Sequence, residues 1–178
     1  MHLIAGNLLI RFPERGDEAA LVHFHWRNRE FFLPSGSVNP ATDFESYRWT
    51  SYIRQSTSDR TKGTAVRFLV FDTEAEQPTL IAKISYTQIF RGPFHACYLG
   101  YAIDEAYTGR GLITQALGMT NDYMFGELNI HRIMANYMPE NVASGRVLEK
   151  LGFVKEGLAK DYLRINGEWR DHVLTSLT

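Results

Sequence analysis

The segment from Tyr98 to Leu117 constrains the fold most, because it joins a strand, a glycine turn and a helix. Its first six residues are mostly aromatic or apolar, as in a strand, and the run stops at Asp104-Glu105. Apolar residues then recur on one helical face, at Leu112, Ile113, Ala116 and Leu117. In between, Gly109-Arg110-Gly111 allows unusual backbone angles and brings free N–H groups at a helix start close to an anion. This unit predicts a phosphate-binding turn.

A Gly-x-Gly turn alone does not identify the phosphate, and the same residues suit a tight turn with no ligand. The dinucleotide-type Gly-x-Gly-x-x-Gly is absent, because Thr114 stands at the third glycine position. No Gly-Lys-Ser/Thr closes the turn, which excludes the ATP-type loop. The rest of the chain must therefore decide between these interpretations.

Length and composition limit the class of protein. The 178 residues suit a single domain spanning residues 1–178, and the net charge of −1 gives no support to general nucleic-acid binding. The one cysteine, Cys97, cannot form an internal disulfide, which fits a reducing compartment. No apolar run is long enough to span a membrane, and no secretory signal is visible. We therefore expect a cytoplasmic protein that binds neither membrane nor DNA.

The first third of the chain predicts a strand, two helices and polar connections. A capping box, Thr42 to Glu45, predicts a helix that begins there and runs to about Gln55. The polar stretch that follows predicts an exposed connection. The segments in order are the strand Leu8–Phe12, the helix Asp17–Arg29, the loop Leu33–Pro40, the capped helix and the connection Ser56–Gly63.

Aromatic side chains are frequent in these helices and admit two interpretations. Core packing is the ordinary one for such residues. Alternatively they line a substrate groove, because segments carried on a rigid sheet commonly determine specificity. The residues concerned are Phe31, Phe32, Trp49 and Tyr52.

The rest of the chain predicts a mixed α/β sheet with helices on both faces. A hairpin loop is expected at Thr73–Thr79, and Asn166-Gly167 suits a two-residue hairpin turn. A helix is expected over Asn141–Leu151, ended by Gly152. The predicted strands are Val66–Asp72, Leu80–Phe90, His95–Ile103, Ile133–Tyr137, Phe153–Leu163 and Trp169–Leu177.

A second polar motif opens the later helix. Asn141 and Ser144 are three residues apart, so they share a helical face, and Leu151-Gly152-Phe153 ends the helix. Asn141 alone suits a helix N-cap as well as a ligand contact.

Together the two segments resemble the GNAT family of acetyl-CoA-dependent N-acetyltransferases. That family carries Gln/Arg-x-x-Gly-x-Gly/Ala at a strand-to-helix turn and often Asn-x-x-Ser/Ala followed by Leu-Gly-Phe. Here Ala106-Tyr-Thr-Gly109-Arg-Gly111 matches the first motif except at Ala106, and Asn141 to Phe153 matches the second. From Arg91 to Thr178 the chain looks most like the RimJ/RimL-type ribosomal-protein alanine N-acetyltransferases, through Phe94–Tyr101, His131–Pro139, Ala159–Tyr162 and Trp169–His172.

The resemblance implies a fold, an activity and a set of partners. The GNAT fold has a mostly antiparallel, mixed sheet of six to seven strands, splayed in its middle, with about four helices on its two faces. The implied reaction is direct attack of a protein's N-terminal α-amine on the thioester of acetyl-CoA, without a covalent enzyme intermediate or a metal. The implied acceptor is an alanine-starting ribosomal protein, and the ribosome itself is a possible partner.

The resemblance also implies roles for individual residues. Backbone amides from Tyr107 to Leu112 would bind the CoA pyrophosphate, and the strand Leu99–Ile103 would pair with the pantetheine arm and donate to the thioester carbonyl. Asn141 would bond to the pantetheine, and Ser144 would protonate the departing thiolate. The expected cofactor-binding residues are Leu99, Tyr101, Ala102, Ile103, Tyr107, Thr108, Gly109, Arg110, Gly111, Leu112, Ile113 and Asn141.

The general base is left open by the sequence. Many relatives carry Glu in an Ala-Glu-x-Gly pattern where this chain has Cys97-Tyr98-Leu99-Gly100. Tyr98, which we expect to be catalytic beside Ser144, could relay a proton through water, and so could His95 or Glu168. Covalent catalysis by Cys97 with His95 is disfavoured, because no orienting carboxylate is placed beside them.

Two other functions remain open. A small amine such as an antibiotic or polyamine could be the acceptor, although acidic residues are scattered rather than clustered. A CoA-binding ribosome-assembly module is the non-enzymatic alternative. A basic strip could contact RNA or the CoA phosphates, and it comprises Arg110, Arg132, Arg146, Lys150, Lys155 and Lys160.

Overall fold

The computed structural model describes residues 1–74 and 77–178, which form one eight-stranded sheet with helices on both faces. The strand order is β1-β2-β3-β4-β5-β6-β8-β7. The strands are β1 (His2–Ala5), β2 (Leu8–Arg11), β3 (Val66–Asp72), β4 (Thr79–Phe90), β5 (Ala96–Ile103), β6 (Arg132–Tyr137), β7 (Val154–Ile165) and β8 (Glu168–Leu177). The helices are α1 (Glu18–Arg27), α2 (Arg29–Phe32), α3 (Ser46–Lys62), α4 (Leu112–Gly126) and α5 (Val142–Lys150).

The sheet is antiparallel except where β5 meets β6. These two strands pair in parallel from Ala96 opposite Arg132 to Leu99 opposite Ala135, and the pairing then ends. Beyond that point, among the described residues, β5 is bonded only to β4, as far as Ile103 opposite Ala82. The predicted splay in the middle of a mostly antiparallel sheet is therefore confirmed.

The sheet has more strands than the six to seven expected. The additional strand is β1, whose four residues pair antiparallel with β2. A four-residue edge strand is too short to show an alternating pattern, which explains why the sequence did not reveal it. The predicted connection Thr73–Thr79 includes Ala75 and Glu76, which lie outside the described residues.

Two hydrophobic cores lie on opposite faces of the sheet. One packs α4 and α5 against residues such as Cys97 and Leu99 of β5. The other packs α1 and α3 against the opposite face, where it contacts Ala102. Because side chains of a strand alternate between faces, Tyr98 and Gly100 share the α1/α3 face with Ala102.

The helix α3 corrects the prediction made from the capping box. It begins at Ser46, and the Thr42 hydroxyl donates to the Asp43 carboxylate (3.3 Å) instead of capping a helix. The predicted exposed connection Ser56–Gly63 is wrong as well, because the helix continues to Lys62 and ends at the left-handed Gly63. Polar residues are tolerated there because their hydroxyls bond to carbonyls of the preceding turn, as Ser56 does to Tyr52 (2.7 Å).

Most of the aromatic residues in question are packed in the α1/α3 core. Trp49 and Phe32 are 1% and 3% exposed, and Trp49 donates from its indole N–H to the Asp43 carbonyl (2.9 Å). Phe31 is exposed on the surface. The core interpretation therefore holds for Phe32 and Trp49. In the described part of the chain, none of the helices combines the length and apolarity needed to cross a bilayer.

Candidate functional site

The space where β5 and β6 separate, here called the cleft, is bordered by the ends of both strands and by two helix N-termini. From Gly100 to Ile103, β5 has no ladder partner on the side facing β6 among the described residues. The helix α4 begins after β5 and α5 begins after β6, so both helices start beyond the carboxyl ends of parallel strands. Backbone donors and two helix dipoles therefore favour an extended, anionic ligand in this place.

The glycine turn has the geometry that its sequence predicts. Gly109 and Gly111 have φ angles of +74° and +77°, and Gly111 is the N-cap residue of α4. The Tyr107 and Thr108 amides already donate to the carbonyls of Asp104 (2.9 Å) and Glu105 (3.2 Å). The donors available for a phosphate therefore start at Gly109, two residues later than expected, and continue into the first turn of α4.

Asp104 holds the beginning of this turn against α1. It is 3% exposed, forms an ion pair with Arg27 and accepts from the Asn28 amide (3.0 Å). It also accepts from the backbone N–H of Ala106 (2.9 Å), while the Asn28 carbonyl oxygen accepts from the N–H of Glu105 (2.9 Å). The buried side chains of Asp104 and Asn28 thus hold the turn together, because each accepts from one of its backbone N–H groups.

The start of α5 places Ser144 at the cleft. The Asn141 side chain caps the helix by accepting from the Ser144 N–H (3.2 Å), which confirms the N-cap interpretation. The hydroxyl oxygens of Ser144 and Tyr101 lie 2.7 Å apart, and the Tyr101 hydroxyl is 3.3 Å from the Ser144 carbonyl oxygen. Burial raises the pKa of Tyr101 to about 12, against a smaller opposing effect of Ser144, so the phenol keeps its proton at neutral pH.

Gly145 allows α5 to approach β6 closely. A Cβ atom at this position would lie 2.9 Å from ring carbons and the hydroxyl oxygen of Tyr137. A larger residue here would require either the Tyr137 ring or the start of α5, which carries Ser144, to shift.

The opposite face of the cleft is open above Gly100. A Cβ atom at Gly100 would meet nothing within 4 Å. Beside this space the Asn136 amide donates to the Tyr162 hydroxyl oxygen (3.3 Å), and Tyr162 interacts with Tyr98. Burial and then this contact with Tyr162 raise the pKa of Tyr98, which therefore stays protonated at neutral pH. Three polar side chains from β5, β6 and β7 thus meet at the edge of the cleft.

A bulge in β7 aims Tyr162 at this position. The register of β7 against β8 shifts between Ala159 and Leu163, and Asp161 has a φ of +47°. Asp171 of β8 holds the bulge by accepting from the Lys160 ammonium (2.6 Å) and the Asp161 N–H (3.0 Å). Bulges commonly re-aim side chains beside functional sites.

The same hairpin crosses to the α1/α3 side of the molecule. Its two-residue turn is confirmed, since Asn166 and Gly167 both have positive φ angles of 51° and 87°. The Asn166 amide donates to the Leu33 carbonyl oxygen (2.7 Å) in the loop after α2. The turn of the hairpin is thus held against the loop after α2.

The comparisons with known proteins agree with this geometry. The model of the Acetyltransferase (GNAT) domain matches residues 7–154. The chain is 40% identical to the ribosomal protein uS5-alanine N-acetyltransferase of Escherichia coli (strain K12), over all of this chain and 91% of the relative. The chain belongs to the GNAT acetyltransferase family.

Solved structures of relatives share the fold of this acetyltransferase. The ribosomal-protein-S5-alanine acetyltransferase of Vibrio fischeri superposes with a TM-score of 0.92 at 37% identity, over 99% of this chain and 96% of the relative. RimJ of Mycobacterium smegmatis, solved in complex with CoA-disulfide, superposes with a TM-score of 0.87 at 27% identity, over 96% and 81% of the two chains. The expected GNAT fold is confirmed.

The structure separates the proton-relay candidates of this acetyltransferase. Tyr98 lies at the cleft, whereas the His95 ring bonds to the Gly92 carbonyl in the turn before β5 and Glu168 is exposed at the hairpin end of β8. Burial raises the pKa of the Cys97 thiol to about 12, so this side chain is a core residue and a poor nucleophile.

The predicted basic strip is partly neutralised by acidic neighbours. Arg132 forms an ion pair with Glu156, and Lys160 forms one with Asp171. The Arg110 guanidinium lies over the Tyr107 ring at 5.1 Å, beside the glycine turn. Within residues 1–74 and 77–178, no three His, Cys, Asp or Glu side chains are grouped so that they could hold a metal ion.

Several residues that shape the site were not singled out from the sequence. Arg27 and Asn28 lie more than 70 positions from the Asp104 that they hold, and no local motif indicates such a contact. Tyr162 lies on a strand whose bulge depends on a left-handed aspartate, a conformation that sequence patterns do not indicate. Asn136 lies in β6, where the sequence pattern predicts a strand but does not indicate the contact with Tyr162.

Proposed function

We propose that this acetyltransferase moves the acetyl group of acetyl-CoA to the N-terminal α-amine of a ribosomal protein that starts with alanine. The observation that carries the proposal is similarity over the whole chain, at 40% identity, to an enzyme named for alanine acetylation of ribosomal protein uS5. With a ribosomal protein as the acceptor, the reaction would take place in the cytoplasm.

The free backbone groups of the cleft fit acetyl-CoA. The amides from Gly109 into the first turn of α4 would bind the pyrophosphate, with the helix dipole adding to the attraction. The unpaired edge of β5 from Gly100 to Ile103 would pair with the amide-containing pantetheine arm. A β5 N–H would then donate to the thioester carbonyl and stabilise the developing oxyanion. The Asn141 side-chain NH₂ group remains available for the pantetheine while its oxygen caps α5.

The amine would approach from the open face above Gly100. An α-amine has a pKa of about 8 and is partly neutral at pH 7, whereas a lysine amine at about 10.4 is mostly charged. A strong base is therefore unnecessary, and Tyr98 would pass the proton lost by the amine to water. As the new N–C bond forms, the C–S bond breaks, and Ser144 would stabilise the thiolate from the start of α5.

A thiol-release assay with peptide acceptors tests the proposal. We expect turnover of acetyl-CoA with a peptide that starts with alanine and little with its N-terminally blocked, lysine-containing counterpart. A serine-starting peptide and a panel of polyamines and aminoglycosides complete the set. Mass spectrometry of the peptide locates the acetyl group.

The outcomes distinguish the competing acceptors. Acetylation of the free alanine N-terminus alone supports the proposal. Turnover only with small amines would keep the enzyme class and overturn the acceptor. Binding of acetyl-CoA without turnover on peptide, small amine or isolated uS5 would favour a CoA-binding module.

A further inference from the structure

The Ser144 hydroxyl has one proton and one close partner. Within the described residues, the only side chain in hydrogen-bond contact with its oxygen is Tyr101, at 2.7 Å. A hydroxyl donates one hydrogen bond and accepts two. If Ser144 donates to Tyr101, its proton is already used. If Tyr101 donates to Ser144, the serine proton is free for another acceptor.

The chemistry of the pair favours Tyr101 as the donor. A phenol is much more acidic than an aliphatic hydroxyl, so it is the better hydrogen-bond donor of the two. Tyr101 could instead donate to the Ser144 carbonyl oxygen, but that contact is longer, at 3.3 Å. Tyr101 is also held in place, because it packs against the α4/α5 core on the face of β5 where α5 begins.

We propose that Tyr101 is a positioning residue that donates its hydroxyl proton to Ser144 and so directs the Ser144 proton toward the departing sulfur. The inference rests on the proposed function, because it assumes a thioester in the cleft. It changes the expected role of Tyr101 from a strand contact of the cofactor to an orienting group for Ser144.

The step balances without a change in the charge of Tyr101. The electron pair of the C–S bond goes to sulfur, and the thiolate accepts a hydrogen bond from Ser144. Tyr101 keeps its proton and bonds to the serine oxygen throughout. Ser144 is the third residue of α5, so the positive end of the helix dipole also stabilises the thiolate. The proton lost by the amine leaves separately, on the Tyr98 side.

A double-mutant cycle tests this role. The variants are Tyr101→Phe, Ser144→Ala and the double variant, and the measurements are kcat, the KM for acetyl-CoA and the Kd for CoA. We expect Tyr101→Phe to lower kcat about tenfold, as the loss of one hydrogen bond does, and to leave the Kd nearly unchanged. In the Ser144→Ala background the same change should have little further effect, since there is no serine proton to direct.

A matched control separates orientation from packing. Tyr123→Phe removes a hydroxyl from a half-buried tyrosine of α4 that packs on Phe12 and Phe68, away from the cleft. We expect it to leave kcat unchanged. Equal losses from Tyr101→Phe with and without Ser144 would overturn the positioning role, and so would a loss confined to the Kd for CoA.

The result of the double-mutant cycle does not depend on which acceptor the enzyme uses. It is measured with whichever amine the wild-type enzyme acetylates, peptide or small molecule. Wild-type activity on small amines alone overturns the proposed acceptor and leaves the Tyr101 cycle valid. Additive effects in an enzyme that acetylates alanine peptides overturn the Tyr101 role and leave the acceptor in place.

Discussion

At the scale of single residues, the α1/α3 core contains a lysine that the catalytic proposal does not use. The Lys83 ammonium lies 2.9 Å from His25 Nε2 and 4.5 Å from the centre of the Trp49 ring. His25 Nδ1 faces the Asp43 carboxylate at 3.5 Å. This cluster of side chains therefore links four elements, namely β4, α1, α3 and the loop before α3. Burial lowers the pKa of Lys83 to about 7, while the charges of Arg48 and Arg67 add to this and Asp43 opposes it.

The pKa of Lys83 predicts a pH-dependent stability. Between pH 7 and the ordinary lysine pKa of 10.5, the unfolded chain binds a proton that the folded protein does not. The free energy of unfolding should therefore rise with pH across this range, by roughly a few kcal/mol in total. Lys83→Met should flatten that rise, as measured by urea unfolding from pH 7 to 10. Lys62→Met, at the exposed end of α3, serves as the control, and equal slopes in the two variants would contradict the prediction.

Some of the residues that form the site and the core can be identified from the sequence, and others cannot. Ser144 and Asn141 could be predicted because they are three positions apart at a helix start, where capping rules are local. The contact of Lys83 with His25 joins residues 58 positions apart. The error at Thr42 has a local cause instead, because the neighbouring Asp43 accepts from Thr42 and from the Asn39 N–H (2.8 Å), and the helix begins only at Ser46.

At the scale of elements, the bulged hairpin β7–β8 places Tyr162 beside Tyr98, on the side of the cleft from which the amine is proposed to approach. Its ends are ordinary paired strands, and its turn at Asn166-Gly167 follows from the residues that such turns require. The bulge does not follow from a local signal, because it depends on Asp171 accepting from the opposite strand. The pairings β3–β4 and β7–β8 could be anticipated from their hairpin connections. The order of the other strands could be anticipated only from the family resemblance, since periodicity does not determine which strands pair.

Two substitutions at Asp171 separate the backbone contact of the bulge from its ion pair. Asp171→Ala removes both, so Tyr162 should lose its place at the cleft and the KM for the peptide acceptor should rise about tenfold. The Kd for acetyl-CoA should not change. Asp171→Asn keeps an oxygen that accepts from the Asp161 N–H and loses only an exposed ion pair, which contributes little. We expect it to behave like the wild type, and a similar loss in both variants would contradict the role of the bulge.

At the scale of the whole molecule, the sheet is two halves joined at β5 and β6. Four residue pairs connect these strands, compared with seven between β4 and β5. A ligand that pairs with the free edge of β5 would complete part of the missing ladder. Binding to the folded state also adds to its stability by mass action.

Hydrogen exchange can test this completion of the sheet. Saturating CoA should raise the Tm and slow amide exchange at Gly100–Ile103 and at residues 109–114. The edge strand β1, far from the cleft, is the internal control and should exchange at the same rate with and without CoA. Slower exchange in the glycine turn alone would indicate that the pyrophosphate binds there while the β5 edge stays unpaired.

The short ladder between β5 and β6 also affects where the protein unfolds locally. Among the described pairings from β3 to β7, this four-pair ladder is the shortest. Apart from fraying of the edge strands β1 and β2, which also share only four pairs with each neighbour, the empty enzyme should therefore open first between β5 and β6. The helix α4 bridges the two parts and would be the first long segment exposed to proteases. An enzyme whose cosubstrate is plentiful would then be degraded slowly, and one deprived of it quickly. Turnover of the protein in the cell would in this way follow the supply of acetyl-CoA.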